Sequence, residues 1–146
     1  MRLFFLSLFI LFLASCEKES QNENSFGTCE ADGTVTDVQR TAAKLIGTWR
    51  WTKSDCGFCA NPGIREADKN IMVSFASDGT FSVREDLETI EEGTWEFLES
   101  YGGFFVSVEP KNTAYLNGSI RVCDTELISD ARPWDGAGFL FIKVNP

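Results

Sequence analysis

Alternation of side-chain type along residues 71–83 constrains the fold of this chain more than any other feature of its sequence. From Ile71 to Phe75 every second residue is β-branched or aromatic, and the same alternation resumes at Phe81 and Val83. A period of two residues is that of a β-strand with one buried face. The Ser-Asp-Gly-Thr sequence between the two runs is typical of a tight turn. We therefore predict a β-hairpin over these residues.

Shorter runs of the same kind recur through the rest of the chain. Trp49 and Trp51 alternate with polar residues, and segments rich in Gly, Asn, Asp and Pro separate the later runs. A short helix precedes them, because Thr36 is placed to cap the segment DVQRTAAKL and Gly47 to end it. About eight short strands joined in sequence predict an all-β fold, a small up-and-down antiparallel β-barrel with a short N-terminal helix. The further strands are predicted over residues 93–98, 104–108, 115–123, 126–129 and 138–144.

The N-terminus carries a hydrophobic leader. Arg2 is followed by an almost unbroken apolar run that ends at Cys16, too short for a transmembrane helix and typical of a secretory signal. The residues Leu-Ala-Ser-Cys at 13–16 match the bacterial lipobox, in which the cysteine is acylated, for example with palmitate, and becomes the first mature residue. An ordinary signal peptide with a chance cysteine is the alternative. We predict a lipoprotein signal peptide over residues 1–15 and lipidation of Cys16.

Residues 16–36 are predicted to tether the lipid to one folded domain over residues 37–146. The tether contains almost no apolar residues, whereas the downstream segment is long enough for a single core. Glu17 and Glu19, directly after the lipidated cysteine, resemble a signal for export to the cell surface in some Gram-negative bacteria, and a solvated spacer is the alternative. The predicted location is the bacterial cell envelope, at the outer membrane, with the N-terminal lipid as the membrane contact.

The charge of the chain limits its partners. The formal net charge is −9 at pH 7, which argues against nucleic acid, because phosphate binding needs a basic face. The same excess of acidic residues disfavours direct contact with anionic lipid headgroups. Acidity in an exported protein serves solubility. We expect no nucleic-acid partner, and a protein partner is left open.

Four cysteines remain after the lipidated one, an even number that indicates two disulfides in an exported protein. Cys56 and Cys59 form a CxxC motif, for which a redox centre and half of a metal site are the alternatives. A thioredoxin-type pair opens a long helix that lowers the pKa of its first thiol, but Pro62 and the glycine after it break any helix here. A zinc site is disfavoured because Cys29 and Cys123 lie far apart in sequence. The pairing Cys56–Cys59 with Cys29–Cys123 is favoured, and crossed pairings stay open.

Catalysis is constrained by the complete absence of histidine. This absence removes Ser-His-Asp and Cys-His mechanisms, the usual general base and the commonest transition-metal ligand. Carboxylates remain as candidates at Glu85-Asp86, Glu91-Glu92 and Asp130, with a solvated surface as the alternative. We expect no enzyme activity, no metal site and no cofactor.

The sequence Gly-Thr-Trp at 47–49, at the start of the first strand and just after a short helical segment, resembles the Gly-x-Trp motif of lipocalins and the wider calycin barrels. The 71–83 hairpin, the strand start at Gly93 and the closing strand at 139–144 are similar to small lipocalin-like lipoproteins of bacterial envelopes. The resemblance implies that the tryptophan closes one barrel end beneath a basic side chain from the last strand, for which Lys143 is the candidate. It also implies that the barrel binds a small apolar molecule.

Aromatic side chains are the candidate ligand contacts. The alternative is that they fill the interior, as side chains do in many eight-stranded barrels. The first functional hypothesis is a membrane-anchored lipocalin-like protein that binds a small hydrophobic molecule without catalysis. A structural or protein-interaction lipoprotein with a filled barrel is the alternative, and a thiol-disulfide oxidoreductase acting through the CxxC motif is the weakest one. The candidates are Trp51, Phe75, Phe81, Trp95 and Trp134, the last of which stands in a polar, Gly-rich loop.

Overall fold

The computed structural model describes residues 26–29, 33–100, 102–111 and 113–144, and it confirms the small all-β barrel. Each strand pairs antiparallel with a neighbour, and the last strand returns to the first, so that eight strands close into a barrel. The elements are α1 (Val38–Leu45), β1 (Gly47–Cys56), β2 (Gly63–Glu66), β3 (Ile71–Phe75), β4 (Thr80–Glu85), β5 (Glu88–Ser100), β6 (Gly103–Glu109), β7 (Ser119–Val122), β8 (Glu126–Asp130) and β9 (Gly138–Val144).

Strand β1 closes the barrel because it is long enough to pair on both sides. Its partner on one side is β9, from Thr48 opposite Val144 to Asp55 opposite Gly138, with an irregularity after Trp51. On the other side its first half pairs with β3 and its second half with β2. Strand β2 is therefore the extra, ninth strand outside the ring of eight. Closure removes the free edges at which an open sheet would pair with other chains.

The two ends of the barrel differ. We call one the helix end, where α1 and the β3–β4 and β5–β6 turns lie. The other, the loop end, carries the connections at residues 57–62, 86–87, 113–118 and 131–137. The register supports this division, since Gly47 lies opposite Phe75 at the helix end while Ile71 lies opposite Glu85 at the loop end.

The helix lies where the sequence predicts it, but its cap is different. Asp37, not Thr36, is the N-cap, and its carboxylate accepts a hydrogen bond from the backbone N–H of Arg40 at 2.9 Å. Aspartate favours this position because it accepts from an otherwise unpaired N–H and carries a charge that suits the helix N-terminus. The helix ends at Leu45, and Gly47, which was predicted to end it, is the first residue of β1.

Two strand predictions need correction, and one strand, β2, was not predicted. Strand β5 begins at Glu88, not at residue 93, because acidic residues at its start obscure the alternation. Strand β7 covers only Ser119–Val122, since residues 115–117 turn into the barrel instead of extending it. Strand β2 lies inside a stretch that shows no alternation, where every residue is exposed. The predicted 71–83 hairpin is present as β3 and β4.

The barrel interior is filled with side chains. One contiguous cluster of buried apolar residues extends from Leu45 at the helix end to Leu116 at the loop end. Trp49 and Phe141 are the largest fully buried members. The inward alternation of β3 and β4 supplies much of the rest, as their burial patterns show. Close packing of this kind leaves the side chains themselves as the contents of the barrel.

Part of the predicted tether packs on the barrel wall. The backbone N–H groups of Thr28 and Cys29 both donate to the carboxylate of Glu126 at 2.7 Å. Further on, Val35 and Phe104 exchange two backbone hydrogen bonds of 2.6 and 2.9 Å. The folded unit therefore begins before Asp37. The predicted signal peptide, Cys16 and the rest of residues 1–25 lie outside the described residues.

Candidate functional site

Both favoured disulfides are present. Cys29 pairs with Cys123, with 5.7 Å between their Cα atoms, and Cys56 pairs with Cys59, with 5.6 Å between theirs. The first bond holds the N-terminal segment against the end of β7. The second closes a small loop directly after β1, and no helix follows it. The arrangement is that of two covalent braces on a barrel.

Trp49 and Lys143 meet at the helix end. The ammonium nitrogen of Lys143 lies 5.0 Å from the centre of the Trp49 ring and donates to the backbone carbonyl of Lys44. The indole N–H of Trp49 donates to the carbonyl of Leu45 at 2.8 Å. This is the geometry that the lipocalin resemblance implied for these two side chains. The cation and the ring attract each other, and the helix is held across the end of the barrel.

Four of the five aromatic candidates lie in or against the core, and three of them, Phe75, Phe81 and Trp95, pack on one another. Phe75 has its ring centre 6.1 Å from that of Phe81 and 6.2 Å from that of Trp95. Trp51 is 8% exposed, at the loop end of the same cluster. Three of these rings fill the interior, whereas Phe81 also lines an open cleft of about 560 Å³ at the β4–β5 pair. Trp134 differs from them, because it is 68% exposed on the β8–β9 connection.

A turn at residues 113–116 closes the loop end. Thr113 directs it, since its hydroxyl accepts from the N–H of Leu116 at 2.6 Å and donates to the carbonyl of the same residue at 2.7 Å. Leu116 is fully buried. The ring of Tyr115 lies 5.4 Å from Trp51 and 5.4 Å from Phe139, and burial raises the pKa of its phenol. Tyr115, Trp51 and Phe139 thus close the loop end of the barrel, and we call this group, with the turn that carries Tyr115, the stopper. The prediction of a strand over residues 115–123 did not include this turn.

The largest break in the barrel wall lies between β6 and β7. These strands pair only through Val106 and Ile120, whereas the neighbouring β5 and β6 pair along seven positions. Residue 35 takes the place of a β7 partner for Phe104. The result is an open cleft of about 490 Å³ on the outer surface, which we call the seam cleft. It is lined by Gly33, Thr34, Ser100, Gly103, Phe104, Phe105, Gly118, Ser119, Ile120 and Trp134.

The lining of the seam cleft is uncharged, although charged residues make up 24% of the chain. Aromatic surface comes from the β6 phenylalanines and Trp134, and hydroxyl groups come from two serines and a threonine. Gly118 permits the close approach of β7 and the β8–β9 connection: its φ is +69°, and a Cβ there would lie 2.2 Å from the carbonyl oxygen of Asp130. Such a surface suits a neutral molecule with an apolar face.

An arginine cluster holds the connection that carries Trp134. The guanidinium of Arg132 donates to both carboxylate oxygens of Asp130 at 2.8 Å and to Asp55 at 2.6 Å. Arg121 donates to Asp130 at 2.6 Å. The hydrogen bonds from Arg132 hold the pKa of Asp130 below its usual value, against the opposing effect of burial. The carboxylate of Asp130, a candidate for chemistry in the sequence, is therefore engaged in fixing the loop.

Two other candidate carboxylates, those of Glu85 and Glu91, lie on the strands of the barrel. Glu85 forms an ion pair with Lys69 at 2.9 Å. Desolvation by burial raises the pKa of Glu91, on β5. In the part of the chain that the structure describes, no three acidic or cysteine residues are grouped so that they could hold a metal ion.

The seam cleft itself has no signature in the sequence, except for Trp134. Its other lining residues come from four separate segments, and only the register of β6 against β7 and residues 33–35 brings them together. Within the described ranges, no helix has the length and apolar character needed to cross a bilayer. Comparison of the chain with protein-family models, with curated proteins and with solved structures finds no significant match in any of the three.

Proposed function

We propose that this protein is a lipid-anchored lipoprotein of the bacterial envelope whose lipocalin-like barrel binds a small neutral molecule without catalysis. The ligand would occupy the seam cleft instead of the barrel interior. The observation that carries this proposal is the uncharged, partly aromatic cleft of about 490 Å³ between β6 and β7. Its volume falls in the range of small-molecule sites, roughly 300–1,000 Å³.

The filled interior supports the external position of the site. A molecule entering the barrel would have to displace the buried Leu116 and separate the rings of Trp51 and Tyr115. Separating such packed groups loses both apolar burial and ring contacts. The seam cleft is already open, so binding there requires no rearrangement of the core.

The chemistry of the cleft defines the class of ligand. With no charged side chain in the lining, a charged ligand would lose its hydration without gaining an ion pair. A planar apolar group can lie against Trp134 and Phe105, and hydroxyl or carbonyl groups on the ligand can bond to the serine and threonine hydroxyls. We therefore propose a neutral, mainly apolar molecule with a few hydrogen-bonding groups.

The envelope location is supported by two independent features. The leader ends in a lipobox at Cys16, and the folded domain is braced by two disulfides. Disulfides persist in the oxidising space outside the cytoplasm. Anchoring by more than one acyl chain on Cys16 would keep the barrel at the membrane, because a single chain binds only marginally.

A second candidate function is supported by the solid core. A filled, disulfide-braced barrel is a rigid scaffold, and such a scaffold suits a structural or protein-interaction role without any small ligand. The two candidates differ in one observable property, which is the presence of a bound or bindable small molecule.

Native mass spectrometry of the protein purified from its own cells tests the proposal. We expect a neutral adduct that is lost on organic extraction, and the intact mass also reports acylation of Cys16. Substitution of Trp134→Ala removes one ring contact and should weaken rebinding about tenfold. The matched control is Phe58→Ala, which removes an aromatic side chain that is 79% exposed but lies outside the cleft.

Two results would contradict the proposed site. Absence of any bound or bindable neutral molecule would favour the interaction scaffold. Rebinding that is unchanged by Trp134→Ala but weakened by Phe141→Leu, a change in the core, would place the ligand inside the barrel after all.

A further inference from the structure

The loop end carries the most exposed apolar side chains of the described residues. Leu87 is 88% exposed, Phe58 is 79% exposed and Trp134 is 68% exposed. Each belongs to a different connection, yet all three connections lie at the same end of the barrel. Single exposed apolar residues are ordinary, whereas three of them at one end of the barrel can contact one common apolar surface.

The local structure keeps these side chains in solvent. The loop at residues 57–62 contains no charged side chain, and the Cys56–Cys59 disulfide closes it around Phe58. Nothing lies within 4 Å of the Cβ position at Gly57, so the loop stands clear of the barrel. A side chain already held in its exposed position loses little conformational freedom on binding.

The course of the N-terminal segment shows which end of the barrel faces the anchor. Phe26 lies at the loop end, with the guanidinium of Arg132 4.3 Å from its ring centre. Cys29 is bonded to Cys123, between β7 and β8 at the helix end. From Phe26 to Cys29 the chain thus runs from the loop end towards the helix end, and Phe26, the first described residue, lies at the loop end.

The tether is short compared with the barrel. The predicted tether has the ten residues 16–25 before Phe26, and a tether of this length would span about 17 Å. Strand β1 has 10 residues, and tilted strands of that length make a barrel roughly 25 Å tall. An acyl group on Cys16 would therefore hold the loop end nearest to the bilayer.

We infer that the loop end is a second membrane contact, in which Phe58, Leu87 and Trp134 enter the interfacial region of the bilayer that holds the anchor. The inference rests on the proposed lipidation of Cys16. Aromatic and aliphatic side chains favour this region. The net charge of −9 gives no attraction to an anionic surface, so the contact is apolar and insensitive to salt. It orients the barrel, and the Cys56–Cys59 brace presents Phe58 to the lipid.

Fluorescence quenching in vesicles tests the inference. The acylated protein is reconstituted into zwitterionic phospholipid vesicles with brominated acyl chains, at low and at high salt. We expect the bromolipid to quench Trp134 while the buried Trp49 and Trp51 keep their emission, and a Trp134→Phe variant identifies the quenched component. The double change Phe58→Ser with Leu87→Ser should speed transfer of the protein between vesicles about tenfold.

The matched control is Val144→Ser, because Val144 is 37% exposed at the end of β9, at the helix end of the barrel. Transfer of this variant should match that of the unchanged protein. Absence of Trp134 quenching in acylated, vesicle-bound protein overturns the inference, as does quenching that disappears at high salt. A shift of Trp134 emission with protein concentration in the absence of vesicles would assign the surface to a second copy of the chain.

The failures of the two proposals can be told apart. An intact mass without acyl groups on Cys16 refutes the anchor, and quenching of Trp134 by added vesicles then still decides the loop contact. The double change at Phe58 and Leu87 leaves the seam cleft intact, so it should leave rebinding of the small molecule unchanged.

Discussion

The Cys29–Cys123 bond makes the sharpest prediction about stability. Its cysteines are 94 residues apart, whereas Cys56 and Cys59 are 3 residues apart. A cross-link stabilises the fold by restricting the unfolded chain, and the effect grows with the length of the closed loop. For the long loop the chain-entropy estimate is about 4–5 kcal/mol, and for the short loop it is about 2 kcal/mol.

Packing in the folded state also makes the Cys29–Cys123 bond contribute more to stability than the Cys56–Cys59 bond. Cys29 is buried against Ile128 and Leu140 on the outer face of β8 and β9. Without its bond the N-terminal segment is held by non-covalent contacts, among them the hydrogen bonds to Glu126, the contact of the Phe26 ring and the Val35 bridge. Part of this burial is lost when the segment dissociates. Cys56 is buried as deeply as Cys29, but residues 57–62 are exposed and stay attached to β1 and β2 when the short bond is absent, so no buried segment is released there. The difference between the two variants is therefore at least the entropic one.

Denaturant unfolding of two matched double variants measures this difference. Cys29→Ala with Cys123→Ala should lower the free energy of unfolding by roughly 2–3 kcal/mol more than Cys56→Ala with Cys59→Ala. The long-loop variant should also show a larger m-value, because its unfolded state exposes more surface. Equal losses in the two variants, or a greater loss from the short loop, would refute the reasoning from loop length.

Two further predictions concern the loop end. Leu116→Ala should lower the free energy of unfolding by about 2–5 kcal/mol, because it leaves a cavity under the stopper. Leu87→Ala, a change at a side chain that is 88% exposed, should alter the free energy of unfolding little. Similar losses in the two variants would show that the stopper is not packed. The lowered pKa of Asp130, caused first by its hydrogen bond from Arg132, gives stability that is present above the ordinary carboxyl pKa and is lost as pH falls through the folded value. Unfolding measured from about pH 5 to about pH 2 should therefore show a smaller acid loss in Arg132→Gln, and an unchanged slope would contradict this assignment.

Local patterns predicted a large part of this fold. The 71–83 hairpin follows from alternation and a turn sequence within a short stretch, and it is present. The disulfide pairing was favoured on sequence spacing, and the structure confirms it. Predictions were wrong where a local pattern ended ambiguously: Thr36 gives way to Asp37 as the helix cap, and residues 115–117 form part of the stopper instead of a strand.

The sequence by itself determined the class of fold, the number of cysteines available for disulfides and the absence of histidine chemistry, since periodicity, residue type and cysteine count are properties of the chain alone. Tertiary structure decided the rest. The seam cleft exists because β6 meets β7 at a single pair while Val35 occupies the adjoining edge, and the interior is filled because Leu116 folds into it. Register and the packing of distant segments set these features, and side-chain alternation is the same whichever strands become neighbours. The placement of Phe58, Leu87 and Trp134 at one end of the barrel likewise appears only once the barrel has closed.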